Sequence, residues 1–173
     1  LQILFINLIT DVFPAMALGF TEGDDTVMQK PPKDPRQPIV SKKSWAIIWM
    51  YAAIICGAAL GAAFTAEYVR GGTPDPGAAN NVLFFTLIIS QLLHALNMTA
   101  EKEKFFSGPV VRNKYLWFSL VLSLGITLLC RLVPPVAEAL RLQYMSREDW
   151  LVIAGFSFAS LLLIRFTTLF VNR

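Results

Sequence analysis

The chain has 173 residues, a net charge of +3 and a pI near 9.0, with 55% hydrophobic and 16% charged residues, 13 Phe and a mean hydropathy of +0.54. This is more apolar and less charged than a soluble globular domain. The apolar residues come in blocks of 15 to 22 separated by charged punctuation, matching the ~20 residues that a membrane helix needs. Lys and Arg lie between these blocks or near their ends, and no basic stripe carries interleaved aromatics, so nucleic acid is excluded as a partner.

The expected class is therefore an all-α polytopic membrane protein, a bundle of five transmembrane helices in a lipid bilayer. The first span runs about 1–20. It opens at Leu1 inside an apolar block, without the basic start or cleavage site of a signal peptide, which reads as a segment of something longer. Residues 21–44 follow, a charged stretch with Pro31, Pro32, Pro35 and Pro38 that reads as an extended, solvated loop. The second span, 45–66, has 22 uncharged residues and ends at Glu67, Arg70 and the turn-rich GGTPDPG. The third, 82–98, stops before the EKEK of 101–104, and the fourth, 115–133, is expected to end at Pro134 and Pro135. Residues 136–149 alternate charge with Leu140, Leu142 and Tyr144 as an interfacial segment does, and the fifth span is 150–171.

Five spans put the termini on opposite sides. The loops 21–44 and 100–114 hold nine Lys and Arg against four in the opposite loops, which places those two loops and the C-terminus in the cytoplasm and the N-terminal end outside. Trp45, Trp49, Tyr115, Trp117 and Trp150 fall at span ends as interfacial anchors. Arg165 lies near the cytoplasmic end of the last span, where its stem can snorkel. Cys56 and Cys130 sit in apolar blocks with no CxxC or Cys/His cluster, the pattern of buried thiols. Gly57 and Gly61 form a GxxxG motif suited to close helix packing.

The informative residues are the polar ones. Asp11 is the carboxylate well inside a span, and an ionisable group at mid-membrane costs about 2.5 to 3.5 kcal/mol on the insertion scale. Asn7, Thr10 and Asp11 are spaced i, i+3, i+4, which in an α-helix stacks three oxygen-bearing side chains on one face. Oxygen is what a hard cation takes. Pro14 lacks the N–H that would bond the Thr10 carbonyl, so a kinked helix with a freed carbonyl is expected there, as in cation sites of transporters. Ser90, Gln91, His94 and Asn97 form a second polar stripe, readable either as a source of a further oxygen ligand, Gln91, or as hydrogen-bonding glue between helices. His94 is the single histidine and offers no metal cluster by itself.

The stretch NLITDVFPAMALGF followed by MQKPPKDPRQP resembles the sixth membrane helix and following cytoplasmic loop of P-type cation-transporting ATPases of the calcium-pump class. The family pattern N-L-x-T-D-x-x-P-A-x-A-L-G is met by Asn7, Leu8, Thr10, Asp11, Pro14, Ala15, Ala17, Leu18 and Gly19, and the loop pattern M-x-x-P-P-x-x-P by Met28, Pro31, Pro32 and Pro35. The later spans are similar to helices seven to ten in order and loop character. The resemblance implies that Asn7, Thr10 and Asp11 coordinate a transported cation, calcium being the expected one, with Gln91 where some calcium pumps carry Glu and others Gln.

It further implies a plasma-membrane pump in which ATP and Mg2+ act in other parts of the parent protein. Its remaining membrane helices and cytoplasmic domains are then this chain's partners. The chain itself carries no Asp-Lys-Thr-Gly phosphorylation motif, so hydrolysis is expected of the parent and not of this segment. The competing reading is a non-enzymatic helical scaffold or accessory subunit whose polar residues only hold helices together. A free-standing channel or secondary transporter ranks behind both, because only one span is clearly interrupted.

Overall fold

The computed structural model describes residues 1–20, 40–71, 75–97 and 113–171, and among them the secondary structure is entirely helical. The N-terminal helix is composite: α1 (Gln2–Asn7), a π-turn (Leu8–Val12) and α2 (Phe13–Gly19). Then come α3 (Lys42–Val69), α4 (Pro76–His94, extended by a 3-10 turn at Ala95–Asn97), α5 (Lys114–Leu129), the short α6 (Pro134–Ala139) and α7 (Arg147–Val171). Four helices of the described residues are long and apolar enough to cross a membrane, at Gln2–Gly19, Lys42–Val69, Pro76–Asn97 and Arg147–Thr168. The expected loops 21–44 and 100–114 fall largely outside the described residues.

The expected fourth span is the apolar α5, 16 residues long. At 1.5 Å per residue it reaches about 24 Å, short of the ~30 Å hydrocarbon core. It ends before the prolines expected to stop it. The chain tightens through Arg131 N–H to Leu128 O (3.2 Å) and Leu132 N–H to Leu129 O (2.8 Å), and the Arg131 guanidinium lies 5.4 Å from the centre of the Trp150 ring. Pro134 and Pro135 instead begin α6, where a missing N–H costs nothing. The segment read as interfacial packs back on the bundle, with Leu140 and Met145 buried and the Leu140 carbonyl accepting from Gln2 Nε2 at 2.7 Å.

The helix starts are set by local chemistry. Ser41 Oγ accepts from the Ser44 N–H, and Asp75 Oδ1 accepts from Gly77 and Ala78 at 3.1 Å each, with Pro76 in the first turn. Asn113 Oδ1 accepts from Tyr115 and Leu116, while its Nδ2 donates to the Ala17 carbonyl at 2.8 Å, so one side chain starts α5 and ties it to the end of α2. Ser146 and Asp149 bond each other's backbone N–H groups, a capping box opening α7.

Helix α4 is the hub. Val82, Phe84, Phe85 and Ile88 are buried at the centre of the core cluster, and α3, α7 and the N-terminal helix all pack against α4, while α5 packs on the N-terminal helix. Phe85 meets Trp150 with ring centroids 5.1 Å apart, so Trp150, expected as an anchor at the membrane surface, is packed into the bundle. Trp45, Trp49, Tyr115 and Trp117 remain exposed.

Of the GxxxG pair only Gly61 is at a close approach: a Cβ there would lie 2.7 Å from the Phe156 ring, whereas at Gly57 it would meet nothing within 4 Å. Gly61→Leu is accordingly expected to cost about 1–3 kcal/mol through overpacking, and Gly57→Leu to leave stability nearly unchanged. Thermal unfolding of the two variants in detergent checks the difference, and equal losses would contradict this packing.

Candidate functional site

The π-turn at Leu8–Val12 sits where the sequence places its acidic motif. In a π-turn each N–H bonds the carbonyl five residues back instead of four. The carbonyl five residues before Pro14 is that of Ile9, and Pro14 has no N–H to offer it. Ile9 O instead accepts from Ser123 Oγ of α5 at 3.2 Å. Where a kink is expected the structure has a widened turn, and Pro14 lies in the first turn of α2 where proline is tolerated. The carbonyl given a partner from outside the helix is that of Ile9, not that of Thr10.

The same turn reshapes the predicted ligand face. Thr10 Oγ donates its single hydrogen within reach of the Ile6 carbonyl (2.9 Å) and Asp11 Oδ1 (3.1 Å), which leaves the hydroxyl lone pairs open. Thr10, Asp11 and Pro14 line one cavity of about 550 Å³ together with Tyr51, Gln91 and His94. So the structure brings Thr10 and Asp11 from the N-terminal helix to the same space as Gln91 from α4. Asn7 is exposed and outside that lining. The i, i+4 stacking that would superpose Asn7 on Asp11 belongs to α-helical register, and the π-turn between them shifts it.

Gln91 Oε1 is buried without a hydrogen-bond partner among the described residues, and so is His94 Nδ1. A buried amide oxygen left without a donor is uncommon, and both residues border the cavity that holds the Asp11 carboxylate. The stripe also supplies a hydrogen bond between helices, at a different residue: Asn97 Nδ2 donates to the Leu161 carbonyl of α7 at 3.3 Å. Among the described residues no three His, Cys, Asp or Glu side chains converge as a metal cluster. What the cavity offers is one carboxylate with neutral oxygen donors around it.

Sequence reasoning missed one contributor. Tyr51, the seventh residue of the expected second span, lines the cavity and hydrogen-bonds Thr168 Oγ1 of α7 at 2.7 Å. Its ring meets the His94 ring edge-on at 5.1 Å. Two residues past Trp49, Tyr51 reads from the sequence as one more interfacial aromatic, so the spacing carries no signal that sets it apart.

Comparison with known proteins adds a separate line of support. The calcium-transporting ATPase of Bacillus subtilis (strain 168) is 30% identical, in a match covering 91% of this chain and 17% of that protein. Calcium-transporting ATPase 1 of Bacillus cereus (strain ATCC 10987 / NRS 248) is 29% identical over 87% of this chain and 18% of its own length. The chain thus spans less than a fifth of the length of these relatives. A family model described as "Cation transporting ATPase, C-terminus" matches residues 1–170, and with nearly every residue inside that match the chain belongs to the family of cation-transporting ATPase C-terminal regions.

Proposed function

We propose that this chain is the ion-binding and translocating membrane portion of an ATP-driven calcium pump, and that Asn7, Thr10, Asp11 and Gln91 serve the transported ion. The observation that carries the reading is the meeting of Thr10, Asp11 and Gln91 at one cavity beside a π-turn. Relatives named as calcium-transporting ATPases support calcium as the ion. Asp11 supplies the charge, Thr10 and Gln91 supply neutral oxygens, and Pro14 maintains the widened turn. Calcium takes 6 to 8 oxygens, more than these side chains provide, so further helices of the parent pump complete the cage. The exposed Asn7 faces those helices.

Alternating access then follows from movement of the N-terminal helix against α4, driven by phosphorylation in cytoplasmic domains that use ATP and Mg2+. In this reading 21–44 and 100–114 are cytoplasmic loops, the N-terminal end is outside and the pump resides in the plasma membrane. The full-length pump tests it. Gln91→Leu removes one oxygen donor while keeping the shape, and the calcium concentration for half-maximal ATP hydrolysis should rise about tenfold, the lower end of what disturbing a metal site costs. An unchanged calcium response would remove Gln91 from the site.

A further inference from the structure

We infer that Ser123 of α5 is a positioning residue for transport: its hydroxyl serves the Ile9 carbonyl that Pro14 cannot, and so holds the π-turn that carries Thr10 and Asp11. The inference rests on the proposed reading of the cavity as the transport site. Pro14 has no N–H, and the carbonyl five residues before it, that of Ile9, accepts from Ser123 Oγ at 3.2 Å. Ile9 and Ser123 are both buried, where a carbonyl left without a donor bears its full desolvation cost. The Ile9 carbonyl and the Thr10 N–H belong to one planar peptide unit. Fixing the direction of that carbonyl therefore fixes the backbone from which Thr10 and Asp11 reach the cavity. Ser123 does not line the cavity itself and acts through Ile9.

The neighbours of Ser123 show that this bond is not the default of its helix. Ser119, Ser123 and Thr127 recur at every fourth residue of α5, and all three are buried. Ser119 Oγ donates to the Leu116 carbonyl at 3.0 Å and Thr127 Oγ1 to the Ser123 carbonyl at 2.8 Å, the ordinary return of a helical hydroxyl to its own backbone. Of the three, Ser123 is the one that crosses to another helix, and it does so at the carbonyl that the proline leaves over. At the start of α5, Asn113 Nδ2 donates to the Ala17 carbonyl at 2.8 Å. Helix α5 thus grips the N-terminal helix on both sides of Pro14.

ATP hydrolysis by the full-length pump tests this. Ser123→Ala should raise the half-saturating calcium concentration about tenfold, the lower end of what disturbing a group behind a metal ligand costs, with maximal turnover retained. Ser123→Cys, whose thiol is a weak donor, takes its place should the alanine variant not fold. Ser119→Ala and Thr127→Ala, which remove hydroxyls bonded within α5, should leave the calcium response unchanged. Pro14→Ala restores an N–H, and the Ile9 carbonyl then finds a donor in its own helix in either register. The loss of unfolding temperature caused by Ser123→Ala should therefore largely disappear when Pro14→Ala is also present, a coupling read from the four proteins in detergent. A wild-type calcium response in Ser123→Ala overturns the inference, as do equal shifts in Ser119→Ala or Thr127→Ala, or an undiminished loss beside Pro14→Ala. The two levels of the argument separate cleanly. If Asp11→Asn leaves calcium stimulation intact, the site itself is wrong; if Asp11→Asn removes it and Ser123→Ala responds as the unaltered pump does, only the role of Ser123 fails.

Discussion

Asp11→Asn in the full-length pump is expected to reduce cation-stimulated ATP hydrolysis to its unstimulated level, with apparent calcium affinity falling by about 100-fold or more. Disturbing groups that merely orient metal ligands costs about 10- to 100-fold, and this substitution removes the only carboxylate that lines the cavity among the described residues. The asparagine keeps the shape and can still accept from Thr10 Oγ, so the helix and its π-turn should survive. The formal charge, and with it the Coulomb attraction for a divalent ion at low dielectric, is lost.

The exposure of Asp11 in this chain fits the same reading. A carboxylate on the outer face of a membrane helix is costly against lipid, and it is accounted for when further helices of the pump cover it. The scaffold reading makes the opposite forecast: Asp11→Asn would change thermal stability and leave the ion dependence of turnover untouched. Measuring both quantities on one variant decides between them, and a wild-type calcium response would end the transport-site assignment.

The positions of the helices follow from composition, because runs of uncharged residues of membrane length have few alternatives in lipid, where every backbone group must bond within its own helix. The same logic made Asp11 conspicuous, since a charge in such a run needs a reason. Three features escaped for physical reasons. Helical wheels assume α register, so the π-turn at Leu8–Val12, and the displacement of Asn7 from the cavity that goes with it, leaves no mark in the spacing. Pro134 and Pro135 are compatible with stopping one helix or starting another, and only packing of the preceding turn on Trp150 selects the second. The convergence of Tyr51, Gln91 and His94 depends on how α3 and α4 rotate against each other, which single-helix periodicity does not report.

The largest structural effect is expected at the buried ion pair between Arg70, at the end of α3, and Asp149, at the start of α7, whose atoms meet at 2.5 Å. The Asp149 side chain is 2% exposed and that of Arg70 is 20% exposed, so the two single replacements differ. Arg70→Met leaves a buried carboxylate without its cation, a change that costs about 3–5 kcal/mol. Asp149→Ala leaves the more exposed Arg70, whose long stem can carry its charge outward. The variant then loses mainly the ion pair and the bond from the Ser146 N–H at 2.8 Å, for about 2 kcal/mol, a typical charge-assisted hydrogen bond.

Because the charge left behind is the costly element, the double variant Arg70→Met with Asp149→Ala should be more stable than Arg70→Met alone, a coupling that a double-mutant cycle reads out. Unfolding in detergent of all four proteins supplies the cycle. Additive losses, or an Arg70→Met loss below about 1 kcal/mol, the scale of an exposed pair, would show that the pair does not hold α3 to α7. That clamp bears on the site as well. Tyr51 of α3 and Thr168 of α7 are joined by a hydrogen bond beside His94. Loosening α3 from α7 at Arg70 should therefore lower the calcium affinity of the full-length pump together with its stability, although Arg70 itself does not line the cavity.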